Sequence, residues 1–317
     1  MLSSPNVSVI ICTHNNVDSL ARTLHAFQQI QVPEGWNVEI LVVDNASTDE
    51  TADVVKVATF GLQTSYYFEP EKGLSRARNA GLAVASGEVI LFTDDDVIPC
   101  SDWLEKKARP LLTRQCDAIT GRIYLAKHLV RPWMHPMHDV WLAAARVVTV
   151  ELVGACMGIH RRVLEKIPGF DVELGAGALG FAEETLFSNQ LVAAGYTINI
   201  IDEPCVEHHP RESRLARREW LAAAKHRGRS AAYVLYHWEH EDLNCPFLQS
   251  CYYQLKLWAR RVVQPPPRLD EEGSPSWELS YIVEREKYRG FMKEQIRPRK
   301  YAWHGLQKII DHDHPGC

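Results

Sequence analysis

The chain has 317 residues, of which 46% are apolar and 24% charged, with a formal net charge of −5. That length allows one large domain or a domain with an appendage, and the composition is that of an ordinary globular protein. The acidic balance argues against a general nucleic-acid binder, and eight scattered cysteines without a CxxC pair argue against a disulfide framework or a cysteine metal site. No apolar run approaches the length of a membrane span, and Met1 to Asn6 lacks the basic start of a signal peptide. The expected location is cytoplasmic, with peripheral attachment at the inner face of a membrane left open.

Val7 to Thr13 reads as a strand, Asp18 to Gln28 as an amphipathic helix, and Val38 to Asp44 as a second strand. Ser47-Thr48-Asp49-Glu50 has the form of a capping box, with Ser47 capping the next helix and Glu50 reaching back. A third strand follows around Thr64 to Phe68, then a helix from Ser75 to Ala85. The fourth strand, Val89-Ile90-Leu91-Phe92, runs into Thr93 and three consecutive aspartates, Asp94, Asp95 and Asp96. Repeated βα units of this spacing predict a mainly parallel, Rossmann-like sheet flanked by helices, with ligands at the C-terminal edge of its strands.

From Asp117 the rhythm loosens. Ala118 to Leu125 reads as a strand, Pro132 to Arg146 as a helix, and Val148 to Ile159 as extended, with Gly154 and Gly158 marking close backbone approach. A glycine-rich loop over 175–180 leads into a helix carrying Glu183 and Glu184, and Thr197 to Ile201 is the last strand expected. Beyond Pro210 the chain turns helical and basic, with seven Lys and Arg residues between Arg211 and Arg229. A Pro-rich, acidic segment over 264–276 reads as a linker before a final helix.

Each early strand delivers polar residues at its C-terminal end: Thr13 with His14 and Asn15, Asp44 with Asn45, then the aspartates. Two carboxylates about 5 Å apart repel by about 3 kcal/mol at an effective dielectric near 20. Three together therefore call for a cation or hydrogen-bond donors, and a hard divalent ion with oxygen ligands is the economical answer. A solvated acidic turn is the plain alternative, but the end of a buried strand favours a ligand site. Arg78 and Asn79, set among small residues, suit close packing near the same edge, whereas Arg76 reads as surface charge.

Four patches together resemble glycosyltransferase family 2, enzymes of the GT-A fold that use nucleotide-sugars. They are Val7 to Asn16 with Val42 to Asp49; Gly73 to Gly81; Phe92 to Val97, with its Asp-x-Asp pattern; and Gly154 to Arg162 followed by Gly169-Phe170-Asp171 and Glu183 to Leu186. The resemblance implies that Thr13, Asn15, Asp44 and Arg78 line the donor pocket, with Asp44 and Arg78 meeting the polar edge of the base. It implies that Asp94 approaches the ribose or sugar with Asp95 beside it, and that Asp96 and His208 hold Mg2+ or Mn2+. The register leaves Asp95 as an alternative ligand to Asp96, and His209 as an alternative to His208.

On the acceptor side the resemblance implies Glu184 as general base, with Glu183 as its substitute, where relatives show Glu-Asp. The implied reaction is an inverting displacement from a nucleotide-sugar, UDP-linked by default, to a glycan or lipid-linked acceptor. The implied organisation is a catalytic domain over 1–215, with a nucleotide-sugar half (1–97) and an acceptor half (98–215), and a mainly helical C-terminal extension over 216–317. A sugar nucleotidyltransferase is a second reading, although Thr13-His14-Asn15-Asn16 stands where its glycine-rich phosphate loop belongs. A catalytically silent nucleotide-sugar-binding or scaffold protein is a third, kept open by the Glu-Glu pair. The basic region after Pro210 reads as a solvated helix face, a diphosphate contact or an attraction to anionic membrane, with Trp220, Trp238, Tyr252, Tyr253 and Trp258 nearby.

Overall fold

A computed structural model describes residues 6–57, 62–142 and 151–309. Four strands open the chain, β1 (Asn6–Thr13), β2 (Asn37–Asp44), β3 (Gln63–Phe68) and β4 (Val89–Asp94), alternating with α1 (Val17–Phe27), α2 (Thr51–Val57) and α3 (Leu74–Val84). Val9-Ile10-Ile11, Ile40 to Val43 and Val89 to Phe92 carry no polar side because both faces of these strands are covered. Burying each such side chain contributes about 1.5–3 kcal/mol. β1 pairs in parallel with β2 and β4, and β2 with β3, in registers that set Thr13 beside Asp44 and Cys12 beside Asp94. The polar strand ends therefore meet at one edge.

The second half adds β5 (Val97–Pro99), α4 (Trp103–Leu112), β6 (Ala118–Leu125), α5 (Pro136–Trp141), β7 (Met157–His160), α6 (Glu183–Ala193) and β8 (Ile198–His208). Among the described residues the sheet has eight strands, in the order β3-β2-β1-β4-β7-β6-β8-β5. β7 runs antiparallel to β4 and β6, β5 runs antiparallel to β8, and β6 and β8 are parallel. This is the mixed α/β sheet of the GT-A fold, parallel over β3, β2, β1 and β4. α4, not anticipated from the sequence, buries Trp103 edge-on against Phe27 with ring centroids 5.6 Å apart.

Several expectations change. The capping box does not form: Ser47 Oγ accepts from the Asn15 N–H, while Asp49 accepts from the backbone and hydroxyl of Thr51, where α2 begins. The helix expected over Pro132 to Arg146 is confined to α5, and residues 143–146 lie outside the described residues, as do 148–150 of the expected extended segment. The rest of that segment is irregular over 151–153, then a 3-10 turn over Gly154–Cys156 followed by β7. β8 continues past Ile201 to His208, with register shifts opposite Gly121 to Ile123. Gly158 is a genuine close approach, since a Cβ there would lie 2.5 Å from Leu91 Cδ2.

The chain divides into two compact units, Met1–Ala178 with Glu183–Glu212, and Leu179–Ala182 with Ser213–Cys317. The second unit carries α7 (Arg217–His237), α8 (Pro246–Val263) and α9 (Ser276–Glu294). Glu278 of α9 is fully buried and answered by Arg217, Arg261 and the Ser274 hydroxyl. Trp220 and Trp238 are buried there and donate to the Leu215 and Gly305 carbonyls, so neither is an interfacial anchor.

Candidate active site

β4 ends at Asp94, and a tight turn rather than a continuing strand brings Asp96 back towards it. The end of β8 supplies His208, and ligand atoms of Asp94, Asp96 and His208 all lie within 4.8 Å of one another. His208 Nδ1 meets the Leu142 carbonyl at 2.6 Å. A carbonyl only accepts, so Nδ1 carries the hydrogen, and in the neutral ring Nε2 presents a lone pair. Nε2 lies 3.1 Å from Asp96 Oδ1. Two carboxylates and an imidazole lone pair converging on one point form a donor set that fits a hard divalent cation.

Burial pushes the Asp94 carboxyl up to about 6, Arg78 pulling it down and Asp96 adding to the rise. The Asp94 side chain keeps 35% of its surface, so solvent screens part of this effect. Asp95 points elsewhere, accepting from the Thr13 hydroxyl at 2.6 Å and the Asn16 amide at 2.8 Å. Burial, then Asp96, pushes its carboxyl up to about 7 against those hydrogen bonds. His209 is turned to Glu207 at 3.2 Å, while its backbone N–H donates to the Asp96 carbonyl.

Arg78 stands at the centre of the carboxylates. Its Nη1 donates to Glu183 Oε1 at 3.1 Å and its Nη2 to Glu184 Oε1 at 3.0 Å, with Asp94 Oδ1 3.9 Å from Nη2. The Phe170 ring lies under the guanidinium, 5.4 Å from its centroid. The Gly154 N–H also donates to Glu184 Oε1, and a Cβ at Gly154 would fall 2.0 Å from Arg78 Nη2 and 2.4 Å from that oxygen. A side chain there would have to displace the Arg78–Glu184 pair. The sequence sets Arg78 in the donor pocket against the base; in the structure it lies between Asp94 and the two glutamates at the start of α6.

Glu183 is buried, and its Oε2 has no hydrogen-bond partner. Burial, then the neighbouring Glu184, pushes its carboxyl up to about 8 against the pull of Arg78. One Glu183 oxygen is answered by Arg78 and the other is buried without a partner, so burial favours the protonated acid over the ion. Its folded value exceeds the roughly 4.3 of an unfolded glutamate, so its stabilising contribution is complete below that value and is lost as pH rises through about 8. Glu183→Gln is expected to remove a decline of up to about 1.4 kcal/mol per pH unit across that window. Urea unfolding at a series of pH values checks this; an unaltered slope would mean that Glu183 is ionised.

Asp44 accepts from the Ser47 N–H at 2.8 Å and from the Tyr66 hydroxyl at 2.7 Å. Asn45 ties the loop before α3, accepting from the Gly73 N–H and donating to the Glu71 carbonyl. Asn15 adopts a left-handed backbone (φ 49°), which asparagine tolerates, and its side chain accepts from the Thr48 N–H. A cleft of about 720 Å³ opens beside these residues, lined by Asn15, Asn16, Arg22, His128, His209 and Arg211 among others. Its lining does not include Asp94, Asp96 or His208. Tyr66 and Asn16 were not singled out from the sequence; alternation along β3 and the strand-end position of Asn16 were the available signals.

Comparison with known proteins bears on the family and the fold. The model of the family described as Glycosyl transferase family 2 matches residues 8–167. The succinoglycan biosynthesis protein ExoM of Rhizobium meliloti is 26% identical over 234 residues, 70% of this chain and 72% of that protein. Glycosyltransferase AglE of Haloferax volcanii is 29% identical over 121 residues, 38% of this chain and only 40% of that protein. Among solved structures, the mannosyltransferase PcManGT from Pyrobaculum calidifontis, in complex with GDP-Man and Mn2+, superposes with a TM-score of 0.57 at 18% identity, covering 93% of this chain and 87% of that one. TarS 1–349 of S. aureus, in complex with UDP, gives 0.51 at 16% identity, covering 96% and 94%. At such identities the structural likeness establishes a shared fold.

Proposed function

The chain belongs to glycosyltransferase family 2, and from that premise we propose an inverting, divalent-metal-dependent transfer of a sugar from a nucleoside-diphosphate donor, UDP-linked first, to a hydroxyl of a glycan or lipid-linked acceptor. The observation that carries the proposal is the convergence of Asp94, Asp96 and His208 at a sheet edge, with Arg78 reaching from Asp94 to Glu184. The GDP-Man complex of PcManGT and the UDP complex of TarS support the donor class, and the Mn2+ of the former supports the cation.

In this proposal Asp94, Asp96 and His208 hold Mg2+ or Mn2+, which when bound supplies Lewis-acid relief of the charge on the departing diphosphate. Glu184 accepts the proton of the attacking hydroxyl, its carboxylate held in place by Arg78 and the Gly154 N–H. Arg78 thereby acts as a positioning residue. Thr13, Asn15, Asn16 and Asp95 shape the donor side, and Asp44, oriented by Tyr66, faces the base. A single displacement needs no enzyme nucleophile, and burial pushes the nearby Cys12 thiol up to about 12, where it is a poor one. Residues 1–215 are proposed as the catalytic domain, in halves 1–97 and 98–215, with 216–317 as its extension.

The test is incubation with UDP-, GDP- and TDP-sugars plus Mn2+. Nucleoside diphosphate should appear; nucleoside triphosphate formed only when pyrophosphate is added would indicate a nucleotidyltransferase, and binding without release a silent protein. Asp44→Ala should weaken nucleoside diphosphate binding about tenfold in calorimetry, the scale of one lost charged hydrogen bond. An unchanged Kd would remove Asp44 from the pocket.

A further inference from the structure

We propose that the outward face of α8 is a membrane contact that seats the protein on a bilayer surface bearing anionic headgroups. One side of α8 is spent inside its own unit: Leu257 and Ser250 are buried, Tyr253 stacks on Tyr288, and Arg261 donates to Glu278. The other side carries Phe247, Leu248, Tyr252, Leu255, Trp258 and Val262, exposed from 50% at Tyr252 to 66% at Trp258 and Val262. At about 100° per residue these fall within one arc of roughly 160°. Cys251, Ala259 and Val263 share that arc, and no charged residue interrupts it. A surface helix ordinarily turns such a stripe inward; single exposed apolar side chains need no explanation, but a continuous stripe does.

Charge selects the occupant. α8 contains no Asp or Glu, while Lys256, Arg260 and Arg261 lie along its length. Lys256 borders the apolar arc, its Nζ 4.8 Å from the Tyr252 ring and 5.1 Å from the Tyr281 ring, and the exposed Arg260 lies over Trp277 at 5.0 Å. Cations bordering an exposed stripe of Trp, Phe and Leu match phosphate headgroups above acyl chains. A second copy matches less well. Two α8 helices laid antiparallel would bring Lys256, near the helix midpoint, towards its own copy with no carboxylate on either helix to answer it. Nor is α8 long and apolar enough to cross the bilayer, so it would lie in the interface plane.

This inference goes beyond the transferase reading and needs no turnover to be tested. Its failure would leave that reading untouched. The full chain is co-sedimented with phosphatidylcholine vesicles with and without phosphatidylglycerol. Binding is expected only with phosphatidylglycerol and should weaken as salt rises. The exposed pair Leu255→Glu and Trp258→Glu should together lower vesicle affinity about a hundredfold. Lys256→Gln with Arg260→Gln should lower it about tenfold and flatten the salt dependence. Both pairs lie on the solvent side, and their melting curves should match the parent. Wild-type binding by the Glu pair, equal binding to phosphatidylcholine alone, or a stable dimer that the Glu pair dissociates would each overturn the proposal.

Discussion

Asp96→Ala is expected to cut turnover about a thousandfold and to abolish the response to added Mn2+ or Mg2+. The size follows from the several kcal/mol that a bound divalent cation contributes against a charged leaving group, about 4 kcal/mol being a thousandfold in rate. Asp94 and His208 remain after the substitution, but a cluster of three becomes a pair. Asp95→Asn is the comparison, because Asp95 faces the Thr13 hydroxyl and the Asn16 amide rather than the cluster. It should keep the metal response. The readout is nucleoside diphosphate release over a Mn2+ titration; a response lost in Asp95→Asn and kept in Asp96→Ala would exchange their roles.

Glu184→Gln should lower kcat by about 10²–10⁴ with donor KM little changed, the range for losing a positioned base. Glutamine keeps an oxygen for Arg78 Nη2 and the Gly154 N–H, so the surrounding geometry should survive. What it loses is the capacity to take a proton. Glu183, buried beside Arg78 with its carboxyl raised to about 8, is assigned in this proposal to hold a proton, with Glu184 as the base. Pre-steady-state turnover with saturating donor separates the two: normal chemistry in Glu184→Gln would move the base elsewhere.

The early strands could be read from the chain because both of their faces are buried, and an unbroken apolar run has few other uses. α4 and β5 were overlooked between the aspartates and Asp117. The far half of β8 was overlooked too, since Glu203 and Glu207 expose polar side chains along it and no apolar run marks it. Ser47 and Glu50 had the spacing of a capping box, yet Asp49 took the helix start because its carboxylate reaches the Thr51 N–H and hydroxyl together.

Residue type and local spacing by themselves determined the alternating elements, the shared edge where Thr13, Asp44 and the aspartates emerge, and the acidic pair opening α6. Tertiary structure alone decided which of these side chains face each other. Arg78 meets Glu183 across 105 positions of sequence, His208 reaches the aspartates only because β8 runs on, and His209 turns to Glu207. The apolar arc of α8 was likewise written in its sequence, but only packing against α9 determined that it faces out. The physical reason is common to all: strand and helix periodicity are set by neighbours a few residues away, whereas ion pairing and burial are settled by groups that only the completed fold brings within reach.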